Sequence, residues 1–190
     1  MNLDLFEIIN DYTDLRSLCD SCVFLSTFKK YVNYDLNTLY SLMYYNDVLF
    51  RNIVLSKIFN PLKQLHLNLS DNALTDVSAL SGVHTLNLSC CDLITDVSAL
   101  SGVHTLNLSN CPLITDISAL SGVHTLDLSR YRLITDVSAL SGVHTLDLSC
   151  CRLITDVSAL SGVHTLDLSW CTNITDISAL SGVHTLKNME

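Results

Sequence analysis

Six histidines, His84, His104, His124, His144, His164 and His184, stand twenty residues apart, each inside the same Val-His-Thr-Leu phrase. Imidazoles recurring at that interval could stack along one face of a coiled chain, ligate a metal or titrate together. Two acidic series share the period: Asp76, Asp96, Asp116, Asp136, Asp156, Asp176, and then Asn68, Asn87, Asn107, Asp127, Asp147, Asp167. Calcium needs six or more oxygens converging on one point, and a flat row of carboxylates does not converge. The first series is therefore read as capping backbone N–H groups. The second is read as a solvated acidic strip whose like charges favour a cationic partner. The histidines are read as turn residues copied with their repeat. No metal and no cofactor is expected. Crowded imidazoles should resist protonation together, so acid would loosen the array.

The eight cysteines give no zinc site. Cys19 and Cys22 have the spacing of half a structural site and lack the second pair it needs. Cys91, Cys111, Cys151 and Cys171 fall at one repeated position read as inward, and Cys90 and Cys150 at the position before it, read as outward. No Ser, His or Cys stands apart from the repeat with an orienting partner, and there is no glycine-rich phosphate loop. Nothing points to an enzyme.

What positions these rows is a phrase, TD(V/I)SALSGVHTL, that occurs six times at a spacing of twenty, beginning at Thr75. Such periodicity is the signature of a solenoid. Counting Val83 as coil position 1, apolar residues fall at positions 1, 4, 6, 9, 12, 15 and 18: Val83, Leu86, Leu88, Cys91, Ile94, Val97 and Leu100. Alternation around Leu86 and Leu88 predicts a short strand with Thr85, Asn87 and Ser89 facing outward. Asp96 is placed to cap one helical turn that Gly102 closes. Twenty residues leave only a thin outer side.

Residues 1–61 have a different grammar. Apolar residues at three-four spacing (Leu5, Ile8, Ile9, Tyr12, Leu15, Leu18, Cys22, Leu25, Phe28) predict three or four short helices, broken near Asp11–Asp14 and Asn33–Asn37. Residues 62–190 form the array. Apolar residues at 48% with only 15% charged suit coils that bury most of their circumference. A net charge of −9 argues against nucleic acid. There is no apolar run of membrane-spanning length, and the start lacks a signal peptide's basic region. A cytoplasmic protein with reduced thiols is the expectation.

The pattern LxxLxLxxCxxITD resembles the leucine-rich repeat in its cysteine-containing form, and TD(V/I)SALSG is similar to the short repeats of internalin-type bacterial proteins. The resemblance implies an α/β leucine-rich-repeat solenoid with a parallel β-strand per coil, capped by the amino-terminal helices. It also implies a concave face that binds another protein. Position 9 is Asn72 in the first coil and cysteine in most later ones, and both are expected to hydrogen-bond the turn backbone from inside.

Residues 3–30 resemble an F-box, with Leu5, Ile8, Ile9, Leu15 and Leu18 on its apolar positions. The leading proline is absent, and lysine does not follow Cys22. An F-box followed by cysteine-type repeats resembles the substrate receptors of cullin-RING ubiquitin ligases, which implies a ligase adaptor as partner. The alternative is a plain binding or structural protein whose helices only cap the solenoid. Near-identical tandem repeats of this style also resemble genes of large DNA viruses of protists, which would make the compartment a host cytoplasm.

Differences between copies concentrate at positions 8 to 10. Stacking would gather Arg130, Tyr131, Arg132, Arg152 and Trp170 at one edge, beside Asp127, Asp147 and Asp167. Arg, Tyr and Trp are enriched at interface hot spots, so this edge is the candidate partner site. The competing reading is drift where packing tolerates it. Tyr131, in the cysteine slot, must distort the turn or swing outward. Leu93, Leu113, Leu133 and Leu153 at position 11 form either an exposed apolar stripe or a buried one. After Leu186 no capping element follows, which predicts end-to-end self-association through the last coil.

Overall fold

The computed structural model describes residues 34–36, 38–53 and 65–188. The chain divides into two compact units, Met1–Leu67 and Asn68–Glu190. In the first, strand β1 (Tyr34–Leu36) pairs in parallel with the start of β2 (Leu65–Asn68), Tyr34 opposite Leu65. Helices α1 (Thr38–Asn46) and α2 (Val48–Ile53) lie between them in the chain. Asp47 separates the helices and accepts the Leu49 N–H at 2.8 Å, which starts α2. Arg51 donates to the Tyr44 and Tyr45 carbonyls at 3.0 and 2.8 Å and stands over the buried Tyr44 ring. Burial raises the Tyr44 phenol pKa, against the pull of Arg51. The helical period thus gives two helices here, together with a strand at residues 34–36 that the period did not announce. The F-box-like positions Leu5, Ile8, Ile9, Leu15 and Leu18, with Cys19 and Cys22, lie outside the described residues.

In the second unit each repeat makes one coil. Strands β3 (Thr85–Asn87), β4 (Thr105–Asn107), β5 (Thr125–Asp127), β6 (Thr145–Asp147), β7 (Thr165–Asp167) and β8 (Thr185–Lys187) pair in chain order, parallel and in register. Leu86 stands beside Leu106, then Leu126, Leu146, Leu166 and Leu186. One-turn 3₁₀ helices return the chain: η1 (Ser78–Leu80), η2 (Ser98–Leu100), η3 (Ser118–Gly122), η4 (Ser138–Gly142), η5 (Ser158–Gly162) and η6 (Ser178–Gly182). Val83, Leu86, Leu88, Cys91, Ile94, Val97 and Leu100 are all buried, so the inward set read from the period is the core. Each buried aliphatic side chain contributes roughly 1.5–3 kcal/mol, repeated coil after coil.

The closing glycine works differently from the expectation. Of the closing glycines only Gly82 adopts a left-handed backbone, at φ +80°. Close approach constrains Gly142 and Gly182, where a Cβ would stand 3.1 and 3.2 Å from the Ser121 and Ser161 carbonyls of the coil before, whereas Gly102 has open space around it. In the outermost described coil Ile174, Val183 and Leu186 are half-buried and Ile177 is exposed, unlike their counterparts further in.

Candidate functional site: the trough, the rim and the flank of the repeat array

The outward strand residues line a shallow trough of about 380 Å³, floored by Thr85, Thr105, Thr125, Thr145 and Thr165 and by the position 5 row. Along one side the histidine rings stack at 4.6 Å between centroids, with interplanar angles of 10–18°. From His104 onward each Nδ1 lies 3.2–3.3 Å from the next threonine Oγ1. Parallel rings direct their nitrogens side by side instead of toward a common point. Among the described residues no group of three or more His, Cys, Asp or Glu is arranged around a metal.

The position 5 row corrects its expectation. Asp127, Asp147 and Asp167 are half-buried, and each Oδ1 accepts the N–H of Ser129, Ser149 or Ser169 at 2.8–2.9 Å. Asn68, Asn87 and Asn107 make the same bond to Ser70, Ser89 and Ser109. The row turns the chain out of the strand, a task that needs one side-chain carbonyl oxygen and no charge, so Asn and Asp interchange. Asp167 also meets Lys187 across the strands at 3.2 Å. Burial would raise its pKa, but the Ser169 bonds and Lys187 prevail and hold it low.

The position 14 row caps from one residue further out than expected, because a Val or Ile without a side-chain bond opens each 3₁₀ turn. Ser78, Ser98, Ser118, Ser138, Ser158 and Ser178 donate their N–H to Asp76, Asp96, Asp116, Asp136, Asp156 and Asp176 at 2.8–2.9 Å. These bonds outweigh desolvation and, at Asp96, Asp136 and Asp156, the neighbouring carboxylates, so each of the six carboxyls lies below the ordinary aspartate pKa.

Inside the coils the thiols tie neighbours together. Cys91, Cys111, Cys151 and Cys171 donate S–H to the carbonyls of Leu69, Leu88, Leu128 and Leu148, each in the preceding coil, at 3.0–3.2 Å. Burial pushes Cys111 and Cys151 up to about 12, which keeps them protonated donors and unreactive. Asn72 instead ties its own turn, donating to the Leu69 and Ser70 carbonyls. The shared role expected of Asn and Cys is thus divided: one closes a turn, the other joins two coils.

Tyr131 does not stand on the surface of the candidate edge. Its ring points inward and is 1% exposed, and its hydroxyl has no hydrogen-bond partner. Burial between Cys111 and Cys151 raises its pKa. The backbone yields instead: residues 132–133 form a bend where the coils of Cys91, Cys111, Cys151 and Cys171 have a hydrogen-bonded turn. The reason is energetic, since burying a large ring outweighs the loss of one turn hydrogen bond.

Position 8 carries what the sequence reading missed. Asp71, Cys90, Asn110, Arg130, Cys150 and Trp170 all have φ between +56° and +65°. Outside glycine, asparagine and aspartate tolerate this left-handed conformation best, and Asp71 and Asn110 were the available signal. Arg130 and Trp170 are exposed on this rim, and Arg132 and Arg152 are exposed two residues further round the coil. Beyond them Leu93, Leu113, Leu133 and Leu153 are 44–51% exposed, so the position 11 stripe faces outward. It ends at Asn173, whose amide donates to the Arg152 carbonyl.

In-register parallel strands, one-turn 3₁₀ returns and a leucine core every twenty residues define the array as a leucine-rich-repeat solenoid. The family model described as Leucine Rich repeat matches residues 65–81, 83–101, 143–161 and 163–181. The fold is similar to internalin C2 of Listeria monocytogenes, at 27% identity and a TM-score of 0.54, covering 65% of this chain and 61% of that one. It is likewise similar to the internalin InlF of the same organism, at 25% identity and a TM-score of 0.54, covering 66% of this chain and 41% of that one. The chain therefore spans less than two thirds of either internalin. No curated protein sequence matches it.

Proposed function

We propose that the protein is a non-catalytic binding protein of the cytoplasm that recognises a protein partner along the rim of the trough. Leucine-rich repeats are protein-interaction modules, with an extended surface made of stacked coils. The observation that carries the reading is the backbone at position 8. A side chain other than Gly, Asn or Asp there costs about 1 kcal/mol, yet the rim presents Arg130 and an exposed Trp170 at that position. Residues of these two types supply most of the energy in protein interfaces. Asp127, Asp147 and Asp167 border the rim from the trough side, with one carboxylate oxygen each already used to hold the turn.

Arg130→Asn/Trp170→Asn tests this, because asparagine relieves the backbone while removing the contact chemistry. Captured partners, quantified by mass spectrometry on the immobilised whole chain, should fall while the melting temperature holds or rises. Unchanged capture by the folded variant would remove the rim from consideration.

The order of an F-box-like segment and cysteine-type repeats supports a finer reading, a substrate receptor whose residues 3–30 hold a ubiquitin-ligase adaptor. Ile8→Asp/Leu18→Asp should abolish adaptor capture in that case. If the intact folded chain captures no adaptor, the segment keeps only a structural role.

A further inference from the structure

We infer that the flank bearing the leucine stripe is a self-complementary surface that takes a second copy of this chain, side by side and parallel. Between the buried positions 9 and 15 the exposed residues of each coil are those at 10, 11, 13 and 14. In two adjacent coils they read Arg132, Leu133, Thr135, Asp136 and Arg152, Leu153, Thr155, Asp156, all exposed. The order is cation, leucine, threonine, carboxylate. A two-fold axis parallel to the stacking direction reverses that order on the facing copy. Each arginine then meets the partner's aspartate, and each leucine meets the partner's threonine, twice over by symmetry.

Two observations select this occupant. The first is pitch. Features on the flank recur once per coil, and the coils are spaced as the histidine rings are, at 4.6 Å. A β-strand laid along the flank presents same-side residues only every ~6.7 Å, and an α-helix repeats every ~5.4 Å. Against the coils a strand drifts by about 2 Å per repeat and a helix by about 0.8 Å. A second copy has the same pitch by construction and keeps Leu113, Leu133 and Leu153 in step.

The second observation is charge. Among the described residues of the array the cations are Arg130, Arg132, Arg152 and Lys187, and Lys187 already meets Asp167. Arg132 and Arg152 have no carboxylate partner among the described residues, although they stand at equivalent positions one coil apart and repel each other. In the coil at Asp92 the same axis would set Asp92 against Asp96, which confines the contact to the region around Leu133 and Leu153. Eight residues a side is well below the roughly 20–30 of a standard interface, so the dimer is weak and reversible.

Sedimentation velocity on the full chain across the micromolar range tests the inference. The intact chain should show concentration-dependent dimerisation. Arg132→Asp/Arg152→Asp and Asp136→Arg/Asp156→Arg should each weaken it by roughly tenfold or more, and mixing the two variants should restore a heterodimer. The pair Leu133→Asp/Leu153→Asp and Thr135→Lys/Thr155→Lys repeats the exchange without touching the caps at Ser138 and Ser158. A chain that stays monomeric throughout overturns the inference. So does a dimer that the folded charge variants leave intact, or one that mixing fails to restore.

Discussion

The coil of residues 103–122 and the coil of residues 123–142 differ at five of their twenty positions. At position 5, Asn107 and Asp127 make the same bond to the serine two residues on, and the change leaves the backbone alone. At position 9 the change reaches the core. Cys111 joins its coil to the Leu88 carbonyl, whereas Tyr131 fills the interior with a ring and brings an unpartnered hydroxyl with it. The same coil carries Arg130 and Arg132 on its outer side. A repeat thus tolerates exchange wherever a single oxygen suffices, and it registers exchange where volume and donor count are fixed by both neighbours.

The largest effect should come from emptying position 9 in each coil. Tyr131→Ala should cost about 3–5 kcal/mol, as for other buried aromatic rings. Cys111→Ala, which loses one bond and a small volume, should cost about 1–2 kcal/mol. Urea unfolding followed by the fluorescence of Trp170, the single tryptophan, measures both. A smaller cost at Tyr131 than at Cys111 would mean that the ring does not fill the core.

Tyr131→Phe sharpens the comparison by separating ring from hydroxyl. A buried hydroxyl without a partner costs about 1–3 kcal/mol, so the variant should be more stable than the parent by about 1 kcal/mol. The corresponding change at Tyr44, which is also buried but belongs to the other unit and stacks with Arg51, should give no such gain. Loss of stability in Tyr131→Phe would show that the hydroxyl is satisfied in solution.

The differences between these coils also show where sequence is legible. The inward set and the strand register follow from period alone, because six copies leave one arrangement that turns Leu86, Leu88, Leu100 and their equivalents inward. The capping role of Asp96 and its equivalents was legible from type and place. The role of the position 5 row was not, because Asn and Asp read as exposed strand residues until the Ser89 N–H is seen to turn back onto Asn87. Nor was the inward ring of Tyr131, since a single deviant copy carries no period to read. At position 8, Asp71 and Asn110 hinted at a left-handed backbone, but the hint was masked by Cys, Arg and Trp in the other coils. The F-box-like positions carry only their sequence pattern.

The smallest effect lies where the two coils agree. Ser118 bonds Asp116 and Ser138 bonds Asp136 with the same geometry, and both carboxyls lie below their ordinary pKa because of those backbone N–H bonds. A carboxyl whose pKa is lower folded than unfolded adds stability that is present above the unfolded value, about 3.9. That stability is lost as pH falls through the folded value. Acid titration followed by circular dichroism should therefore show the array weakening below about pH 4. Asp116→Asn and Asp136→Asn each keep an oxygen for the serine N–H but have no proton to gain, so each should flatten the curve slightly, Asp136→Asn no more than Asp116→Asn because Asp156 opposes the lowering at Asp136. Greater flattening at Asp136 than at Asp116 in the dilute monomer would mean that the bend beside Tyr131 reaches round the coil to the cap, and that the ring is not a local disturbance.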